Sequence, residues 1–368
     1  MKKCIFYLPY KLDENGAGAR MLRPKKMIQA FKDIGYDVFV ITGYSTERKK
    51  LIKEVKNRIL SGDKFDFMYT ESHTEPTLLT DPSHLPTHPL MDFGFYKFVN
   101  NNRIRIGLFY CDFYWKFDTY GTNLPSWKRW GALINYKYDI RQYKKYLSKL
   151  YVASIECCDL LGEPELTRIA SELPPGADDI VVDRKNYQNR DFSKEPLQVF
   201  YVGGLGNHYQ VTELVKAINR IPACELTICC REAEWVLVKP GMTDYLCDRI
   251  HIIHKTNKEL EEYYEKADLC SLMFQNSIYM NVAMPFKAFE YLAHEKPVFA
   301  TQKTAIGRFV EDHGIGWVFP YDANAIELAI KDIIKNPSLL SEKVEKCVAA
   351  KDNNLWIERA KKVASDLQ

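Results

Sequence analysis

The sequence MPFKAFEYLAHEKPVFAT, residues 284–301, predicts a helix that is followed directly by a strand. Pro285 suits the first turn of a helix, because the backbone N–H that proline lacks has no partner there. Apolar side chains then recur at positions i, i+3 and i+7, which predicts one buried helix face. They are Phe286, Phe289 and Ala293. Lys296-Pro297 ends the helix, and residues 298–301 are predicted to form a short buried strand.

Lys287 is unusual, because a cation in the first turn lies at the positive end of the helix dipole. That position costs about 0.3–1 kcal/mol unless an anion lies close by. Glu290, three residues on, would form an ordinary i, i+3 ion pair with Lys287. A phosphate at the free N–H groups of the helix start is the alternative, and it would leave Glu290 to accept hydrogen bonds from a ribose. Local physics leaves both interpretations open.

The pattern PxKxxEYLAxxKPVxAT resembles the nucleotide-sugar signature of GT-B glycosyltransferases, especially the large retaining (family 4-like) group that builds bacterial surface polysaccharides. In that family a glutamate at the place of Glu290 holds the nucleotide ribose, and the helix start faces the diphosphate. Val282 departs from the pattern where a second glutamate is common, and Glu295 departs where a helix-ending glycine is usual. The resemblance implies an α/β GT-B fold, in which two Rossmann-like β/α/β domains face a central cleft.

The composition is typical of a soluble globular protein. A length of 368 residues suits two domains of about 150–200 residues each. The net charge of +3 gives no indication of nucleic-acid binding. The 10 cysteines lack metal spacing, and without a signal peptide they indicate reduced thiols in a cytoplasmic protein. No apolar run approaches the ~18 residues that span a membrane.

The order of predicted strands and helices divides the chain into three segments. Residues 1–190 are predicted as an N-terminal, acceptor-binding Rossmann-like domain. Residues 191–354 restart the same alternation and are predicted as the nucleotide-sugar-binding domain. The resemblance implies that the last segment, residues 355–368, is a helix that returns to the N-terminal domain.

A glycine loop follows the first predicted strand. Gly16 and Gly18 would let the backbone approach a ligand at the carboxyl end of that strand, although a tight turn alone also explains them. In the GT-B relatives this loop lies under the donor diphosphate and sugar, and Arg20 could neutralise charge there. Glu71 and His73, at the end of the third predicted strand, are assigned with Arg20 to the acceptor or donor-sugar pocket.

A loop rich in proline and histidine comes after this strand and carries Asp81, His84, His88 and Asp92. These residues are not spaced as in a zinc module and share no helical face, so no metal site is predicted. Long irregular loops in compact domains are often functional. The loop is therefore predicted to shape the acceptor pocket.

Cys111 and Asp112 follow the predicted strand at residues 103–110. The GT-B relatives often carry His-Asp here, and their histidine touches the donor sugar. A carboxylate at Asp112 could take the proton of the acceptor hydroxyl or orient the donor sugar, and an aspartate that caps a helix is the structural alternative. Asp112 and Glu290 are the predicted catalytic residues, and the choice between retaining and inverting chemistry stays open.

Residues 115–151 are basic and aromatic, with eight Lys or Arg against two Asp. Such a segment can rest on an anionic membrane surface, with its rings at the headgroup level. A solvated helix with aromatic residues in the core is the alternative. No recognisable nucleic-acid module surrounds the segment. The inner face of the plasma membrane is therefore one predicted location, and nucleic acid is not a predicted partner.

The predicted strand at residues 198–202 leads through a glycine loop into a helix, an arrangement that suits an anion. The GT-B relatives usually place Arg and Lys in this loop, but here Gly204 and Tyr209 stand in those places. Arg231 and Lys287 are therefore the predicted phosphate cations. The predicted donor-site residues are Gly16, Gly18, Gly203, Gly204, Arg231, Lys287 and Glu290, and Asn281 is assigned to the sugar pocket.

The resemblance implies a hexosyltransferase without a cofactor, and it is predicted to need no metal ion because oriented N–H groups and fixed cations can stabilise a departing diphosphate. Its donor would be a nucleoside-diphosphate sugar, UDP-sugar in preference to GDP-sugar, and its acceptor a saccharide or a lipid-linked molecule in cell-surface polysaccharide assembly. An NAD(P)-dependent oxidoreductase built on residues 203–206 is an alternative, although GGLG lacks the third glycine of the dinucleotide fingerprint. The other alternative is a catalytically idle GT-B module that binds a nucleotide.

Overall fold

The computed structural model describes residues 2–13, 16, 18–111, 113–187, 190–206 and 209–368, apart from the side chains of Ala19 and Asn257. The chain divides into two compact units. The first comprises the residues up to Pro175 together with Trp356–Gln368, and the second is Gly176–Leu355.

Each unit contains one parallel six-stranded sheet. The strand order is β2-β1-β3-β4-β5-β6 in the first unit and β12-β11-β10-β7-β8-β9 in the second. The strands of the first unit are β1 (Lys2–Tyr7), β2 (Tyr36–Ile41), β3 (Phe67–Glu71), β4 (Arg105–Phe109), β5 (Lys149–Val152) and β6 (Ala170–Glu172). Those of the second are β7 (Leu197–Val202), β8 (Cys224–Cys229), β9 (Ile250–Ile253), β10 (Leu269–Leu272), β11 (Val298–Thr301) and β12 (Gly316–Phe319).

Helices connect the strands. Those in the first unit are α1 (Ala19–Asp33), α2 (Ser45–Leu60), α3 (Met91–Asn101), α4 (Ser126–Tyr146), α5 (Cys157–Leu161) and α6 (Pro164–Arg168). Those in the second are α7 (Thr212–Asn219), α8 (Glu232–Val238), α9 (Glu261–Lys266), α10 (Ile278–Val282), α11 (Phe286–Ala293), α12 (Ala305–His313), α13 (Ala323–Lys335) and α14 (Ser338–Asp352). The last helix is α15 (Trp356–Leu367). Short 3₁₀ turns lie at Thr77–Leu79, Tyr114–Lys116, Lys239–Gly241, Thr243–Tyr245 and Asn257–Leu260.

The central strands are fully buried, as expected for parallel sheets that helices cover on both faces. All residues of β3, β10 and β11 are buried. β11 coincides with the strand predicted at residues 298–301, and β3 is the third predicted strand, at whose end Glu71 lies.

α15 belongs to the first unit and packs against α1, β3 and β4. Its buried face includes Trp356, Ala360, Val363 and Leu367. Gly107 in β4 makes room for this contact, because a Cβ at that position would lie 2.8 Å from Leu367 Cδ1. Arg359 also donates from Nε to the Pro174 carbonyl oxygen at 3.1 Å.

The division between the units differs from the predicted boundary after residue 190, because residues 176–187 are bonded to the second unit. Arg184 Nη2 donates to Glu295 Oε1 at 3.0 Å, and Lys351 Nζ donates to the Ile180 carbonyl oxygen at 2.8 Å. Glu295 has a left-handed φ of 55°, in the place where a glycine is usual. Its carboxylate also accepts from Lys351 at 3.0 Å. These long-range ion pairs are not visible in the local composition of the segment.

The predicted helix and strand of residues 284–301 are confirmed. α11 begins at Phe286 with Pro285 as its N-cap residue, and its buried residues include Ala288, Phe289 and Leu292. β11 follows between β10 and β12. Among the described residues, no helix combines the length and the hydropathy needed to cross a bilayer.

Candidate functional site

The carboxyl ends of parallel strands share one edge of a sheet, and open α/β sheets bind ligands at that edge. In the second unit this edge carries Gly203 and Gly204 after β7, and Arg231 after β8. α11 is tied to the same edge, because the Val202 N–H donates to Tyr291 Oη at 3.1 Å. The glycine loop and α11 are therefore neighbours.

Lys287 and Glu290 form an ion pair at the start of α11. Lys287 Nζ lies 2.7 Å from Glu290 Oε2, and the two side chains are 31% and 34% exposed. They are neither sealed in the core nor fully surrounded by water. The i, i+3 ion pair is thus the state of these residues in the structure, and contact with a ribose or a phosphate stays a prediction.

A second contact orients the Glu290 carboxylate. Tyr264 Oη, in α9, donates to Glu290 Oε2 at 3.2 Å. Burial and the nearby Glu290 raise the pKa of Tyr264, so its hydroxyl remains a neutral donor. The Tyr264 ring stacks on His294 at 3.9 Å between centroids, and His294 Nδ1 lies 2.8 Å from the Glu290 carbonyl oxygen. Sequence spacing does not indicate Tyr264, because it lies on a helix separate from that of Glu290.

Lys287 also lies near the end of β8. The pKa of the Cys229 thiol is raised by burial, and the positive charge of Lys287 acts in the opposite direction. Cys229 is the last residue of β8 and lies two residues before Arg231. The predicted phosphate-binding residues of β7, β8 and α11 therefore occupy one region of the second unit.

Arg231 is engaged by a carboxylate that the sequence analysis did not identify. Arg231 Nη1 lies 2.7 Å from Glu234 Oε1, and the Arg231 side chain is 83% exposed. The other oxygen, Glu234 Oε2, accepts from the Leu205 N–H at 2.9 Å. An acid therefore contacts the glycine loop at the place where the sequence predicts a phosphate.

Asn281 lies on α10, in the segment between β10 and α11. Its Oδ1 accepts from Asn276 Nδ2 at 3.1 Å, and Asn276 Nδ2 also donates to the Gln302 carbonyl oxygen at 3.0 Å. Near Asn276 the surface has an open hollow of about 550 Å³, whose lining also includes Gln210 and Tyr321. Arg231, Lys287 and Glu290 do not line this hollow.

In the first unit, the Glu71 side chain is buried. Glu71 Oε1 lies 3.3 Å from Arg23 Nε, and the two side chains are 1% and 3% exposed. Tyr69 Oη donates to the same oxygen at 2.9 Å. Arg23, which the sequence analysis did not single out, also donates to the Leu173 carbonyl oxygen at 3.0 Å. Glu71 therefore has an internal partner at the end of β3.

His73 follows the end of β3 by two residues and lies near Arg20. Arg20 Nη1 donates to Thr74 Oγ1 at 2.6 Å. Burial and the positive charge of Arg20 lower the pKa of His73 to about 4, so the imidazole is neutral at pH 7. The His73 ring packs on Tyr10 at 4.7 Å between centroids. Tyr10 Oη is buried and has no hydrogen-bond partner among the described residues, so this cluster has a spare polar group.

The two N-terminal glycines differ in their surroundings. Gly18 is the N-cap of α1 with a φ of −71°, and a Cβ at Gly18 would meet no described atom within 4 Å. The local fold therefore does not require a glycine at position 18. At Gly16 a Cβ would lie 2.7 Å from Met21 Cγ, so close packing alone explains that glycine.

Asp112 lies outside the described residues. The residue before it, Cys111, is held at the end of β4, where its N–H donates to Ser72 Oγ at 2.9 Å. The catalytic role of Asp112 stays a prediction. Over the part of the chain that the structure describes, no group of three or more His, Cys, Asp or Glu side chains is arranged to hold a metal ion.

The basic and aromatic segment has one exposed helical face. Trp127, Trp130 and Ile134 on α4 are 70%, 68% and 45% exposed and follow helical spacing. Lys137 and Arg141 continue the same face and are exposed. The acid of this helix, Asp139, is buried. The exposed face therefore combines aromatic rings with positive charge.

The match to a known protein family lies in the second unit. Residues 182–354 match the family model for glycosyl transferases group 1, which covers most of that unit and just under half of the chain. A comparison with curated proteins found no match.

Several solved structures resemble the whole chain. Sucrose-phosphate synthase from Thermosynechococcus elongatus matches with a TM-score of 0.63 and 15% identity, over 99% of this chain and 98% of that chain. HepE from Anabaena, solved in complex with UDP, matches with a TM-score of 0.64 and 13% identity, over 100% and 99%. A glycosyltransferase from Rickettsia africae matches with a TM-score of 0.61 and 13% identity, over 100% and 98%. At these identities the likeness shows the fold alone, and it confirms the predicted architecture of two Rossmann-like domains.

Proposed function

We propose that this chain, which has the GT-B fold and a glycosyl transferases group 1 domain over residues 182–354, transfers a sugar from a nucleoside-diphosphate sugar to an acceptor hydroxyl. The observation that carries the proposal is that the matched segment contains the accessible pair Lys287–Glu290 at the start of α11. We assign the enzyme to the assembly of cell-surface polysaccharides, with a saccharide or a lipid-linked acceptor.

The donor nucleotide would exchange partners with the ion pair. A phosphate at the start of α11 attracts Lys287 and meets the helix N–H groups, which favour an anion. Glu290 is then left to accept hydrogen bonds from the ribose hydroxyls, and its second contact, with Tyr264 at 3.2 Å, keeps the carboxylate in place. An exposed ion pair of this kind contributes only about 0–1 kcal/mol, so little stability is lost when it opens.

The chemical difficulty of the reaction is the departure of the nucleoside diphosphate. Oriented backbone N–H groups and fixed cations stabilise the charge that develops on the leaving group. Lys287, Arg231 and the glycine loop at residues 203–206 would supply them, and we propose that no metal ion is required. Asp112 is the proposed group that handles the acceptor proton or orients the sugar.

UDP is the proposed nucleotide, in preference to GDP. The support is that HepE, which shares the fold, is solved with UDP and with UDP-glucose. The proposed acceptor pocket lies in the first unit near Arg20 and His73, and its support is the packing of the His73 ring on Tyr10, whose hydroxyl is buried.

We also propose that the exposed face of α4 contacts an anionic membrane surface. Trp127 and Trp130 would lie at the headgroup level, and the lysines and arginines of the helix would meet the lipid charges. This places the enzyme in the cytoplasm at the inner face of the plasma membrane, where lipid-linked acceptors are available.

The test is a donor screen with and without a chelator. The protein is incubated with UDP-glucose, UDP-galactose, UDP-N-acetylglucosamine and GDP-mannose, each with and without EDTA, and nucleoside diphosphate release is measured. We expect slow donor hydrolysis with at least one UDP-sugar, unchanged by EDTA. Release that depends on a divalent cation would contradict metal independence. The absence of both release and nucleotide binding for every donor would contradict the proposed function.

A further inference from the structure

The glycine loop at residues 203–206 holds a carboxylate at the place where the proposed function needs a phosphate. Glu234 Oε2 accepts from the Leu205 N–H at 2.9 Å. Its other oxygen lies 2.7 Å from Arg231 Nη1, and the Glu234 side chain is 21% exposed. One side chain thus contacts both a loop amide and the candidate phosphate cation.

The neighbouring residues of the loop form hydrogen bonds with uncharged groups. The Gly203 N–H donates to the Cys229 carbonyl oxygen at 3.0 Å, and the Gly206 N–H donates to the Tyr209 carbonyl oxygen at 3.1 Å. Tyr201 Oη donates to the Gly204 carbonyl oxygen at 2.7 Å. Leu205 differs from these neighbours, because its N–H donates to an anion that comes from α8.

Gly204 leaves the space that this carboxylate uses. A Cβ at Gly204 would lie 3.5 Å from Glu234 Oε2, so a longer side chain at that position would compete with the carboxylate for the same space. A carboxylate that accepts from a backbone N–H and a guanidinium uses the donors that a phosphate oxygen also uses. Two anions cannot share these donors without strong repulsion.

We propose that Glu234 occupies the position of a donor phosphate oxygen in the free protein, and that the diphosphate displaces it. The Leu205 N–H and the Arg231 guanidinium then donate to the phosphate instead of the carboxylate. The inference rests on the proposed function. Its consequence is that Glu234 weakens the binding of every nucleoside diphosphate, the product included, and therefore favours product release.

The test is the affinity of the Glu234→Gln variant for UDP and for uridine, measured by isothermal titration calorimetry. Glutamine keeps the size of the side chain and can still accept from the Leu205 N–H, but it removes the negative charge. We expect UDP to bind about five- to tenfold more tightly and uridine, which has no phosphate, to bind as it does to the wild type. The gain for UDP should shrink as salt is added, because salt screens the charge.

Glu232→Gln is the matched control. Glu232 is exposed on the same helix, and its loss changes the net charge equally, so UDP affinity should stay at the wild-type value. Glu234→Ala replaces Glu234→Gln if circular dichroism shows that the glutamine variant does not fold. Its affinity for UDP should also be higher than that of the wild type.

The outcomes separate this inference from the proposed function. If the wild type binds UDP and Glu234→Gln binds it equally or more weakly, Glu234 is a structural support of the loop and the inference is wrong. Equal tightening of UDP and uridine would also overturn it, because the effect would not involve the phosphates. If the wild type binds neither UDP nor GDP, the proposed function fails, and the inference fails with it.

Discussion

The carboxyl edges of the two sheets each carry a basic and an acidic side chain, but in different settings. In the first unit Arg23 and Glu71 are 3% and 1% exposed, and their side chains lie 3.3 Å apart. In the second unit Lys287 and Glu290 are 31% and 34% exposed and lie 2.7 Å apart. The same type of pair is therefore part of the core in one unit and accessible in the other.

This difference separates a structural role from a binding role. A buried charge needs its partner, because an unpaired ion in the core has lost its hydration without compensation. A half-exposed pair can exchange its partner for water or for a ligand at little cost. We therefore expect substitutions at the first edge to affect stability, and substitutions at the second edge to affect nucleotide binding.

The largest effect on stability should come from Glu71→Ala. It leaves Arg23 buried without its carboxylate, and we expect the free energy of unfolding to fall by about 3–5 kcal/mol in urea denaturation. Lys287→Ala is the matched control in the second unit, and its free energy of unfolding should fall by less than about 1 kcal/mol. The double variant Arg23→Met with Glu71→Met should recover most of the stability. Equal losses for Glu71→Ala and Lys287→Ala would contradict the contrast between the two pairs.

A pH-dependent effect of intermediate size is expected at Asp139 in α4. Burial raises the pKa of this carboxyl to about 7, although the Thr77 N–H, which donates to Asp139 Oδ2 at 2.7 Å, favours the charged form. The folded-state pKa lies above the unfolded value, so this group stabilises the fold at low pH. That stability is lost as the pH rises from about 4 to about 7.

Asp139→Asn removes this dependence. At one pKa unit per 1.36 kcal/mol, the advantage of the variant over the wild type should grow by about 3 kcal/mol between pH 5 and pH 8. Urea denaturation at the two pH values measures the change. An advantage that is constant with pH would show that Asp139 is already ionised in the folded protein at pH 5.

The smallest effect on stability is expected on the exposed face of α4. Replacing Trp127 and Trp130 together by serine should change the free energy of unfolding by less than about 0.5 kcal/mol per residue, because both rings are exposed. The same change should strongly reduce co-sedimentation with phosphatidylglycerol vesicles. Leu328→Ser, at a residue 70% exposed in the second unit, is the control. Undiminished sedimentation would contradict a membrane role for this face.

The local features of the sequence predicted the fold well. Pro285 and the apolar periodicity after it indicated α11, and the apolar residues that follow Pro297 indicated β11. These signals depend on neighbouring residues, so a single sequence is sufficient to detect them. The domain boundary differed from its prediction, because Arg184 and Lys351 join distant segments through Glu295.

The candidate site could be predicted only in part for the same reason. Sequence spacing indicated the Lys287–Glu290 pair, which lies within one helix turn. It could not indicate that Tyr264, 26 residues before Glu290, orients the carboxylate, or that Glu234, 29 residues after Leu205, holds the glycine loop. It also could not show that Glu71 is buried against Arg23. Such contacts depend on how separate helices and strands pack together.

We propose that the accessible Lys287–Glu290 pair on α11 binds the nucleotide sugar. This role is tested by the rate at which Glu290→Ala consumes the preferred nucleotide sugar, compared with the rate of the wild type. The melting temperature of both proteins is the control for folding. We expect a loss of at least about 100-fold, or about 2.7 kcal/mol of transition-state stabilisation, while the melting temperature stays within a few degrees. A wild-type rate in this variant would show that Glu290 does not bind the nucleotide sugar.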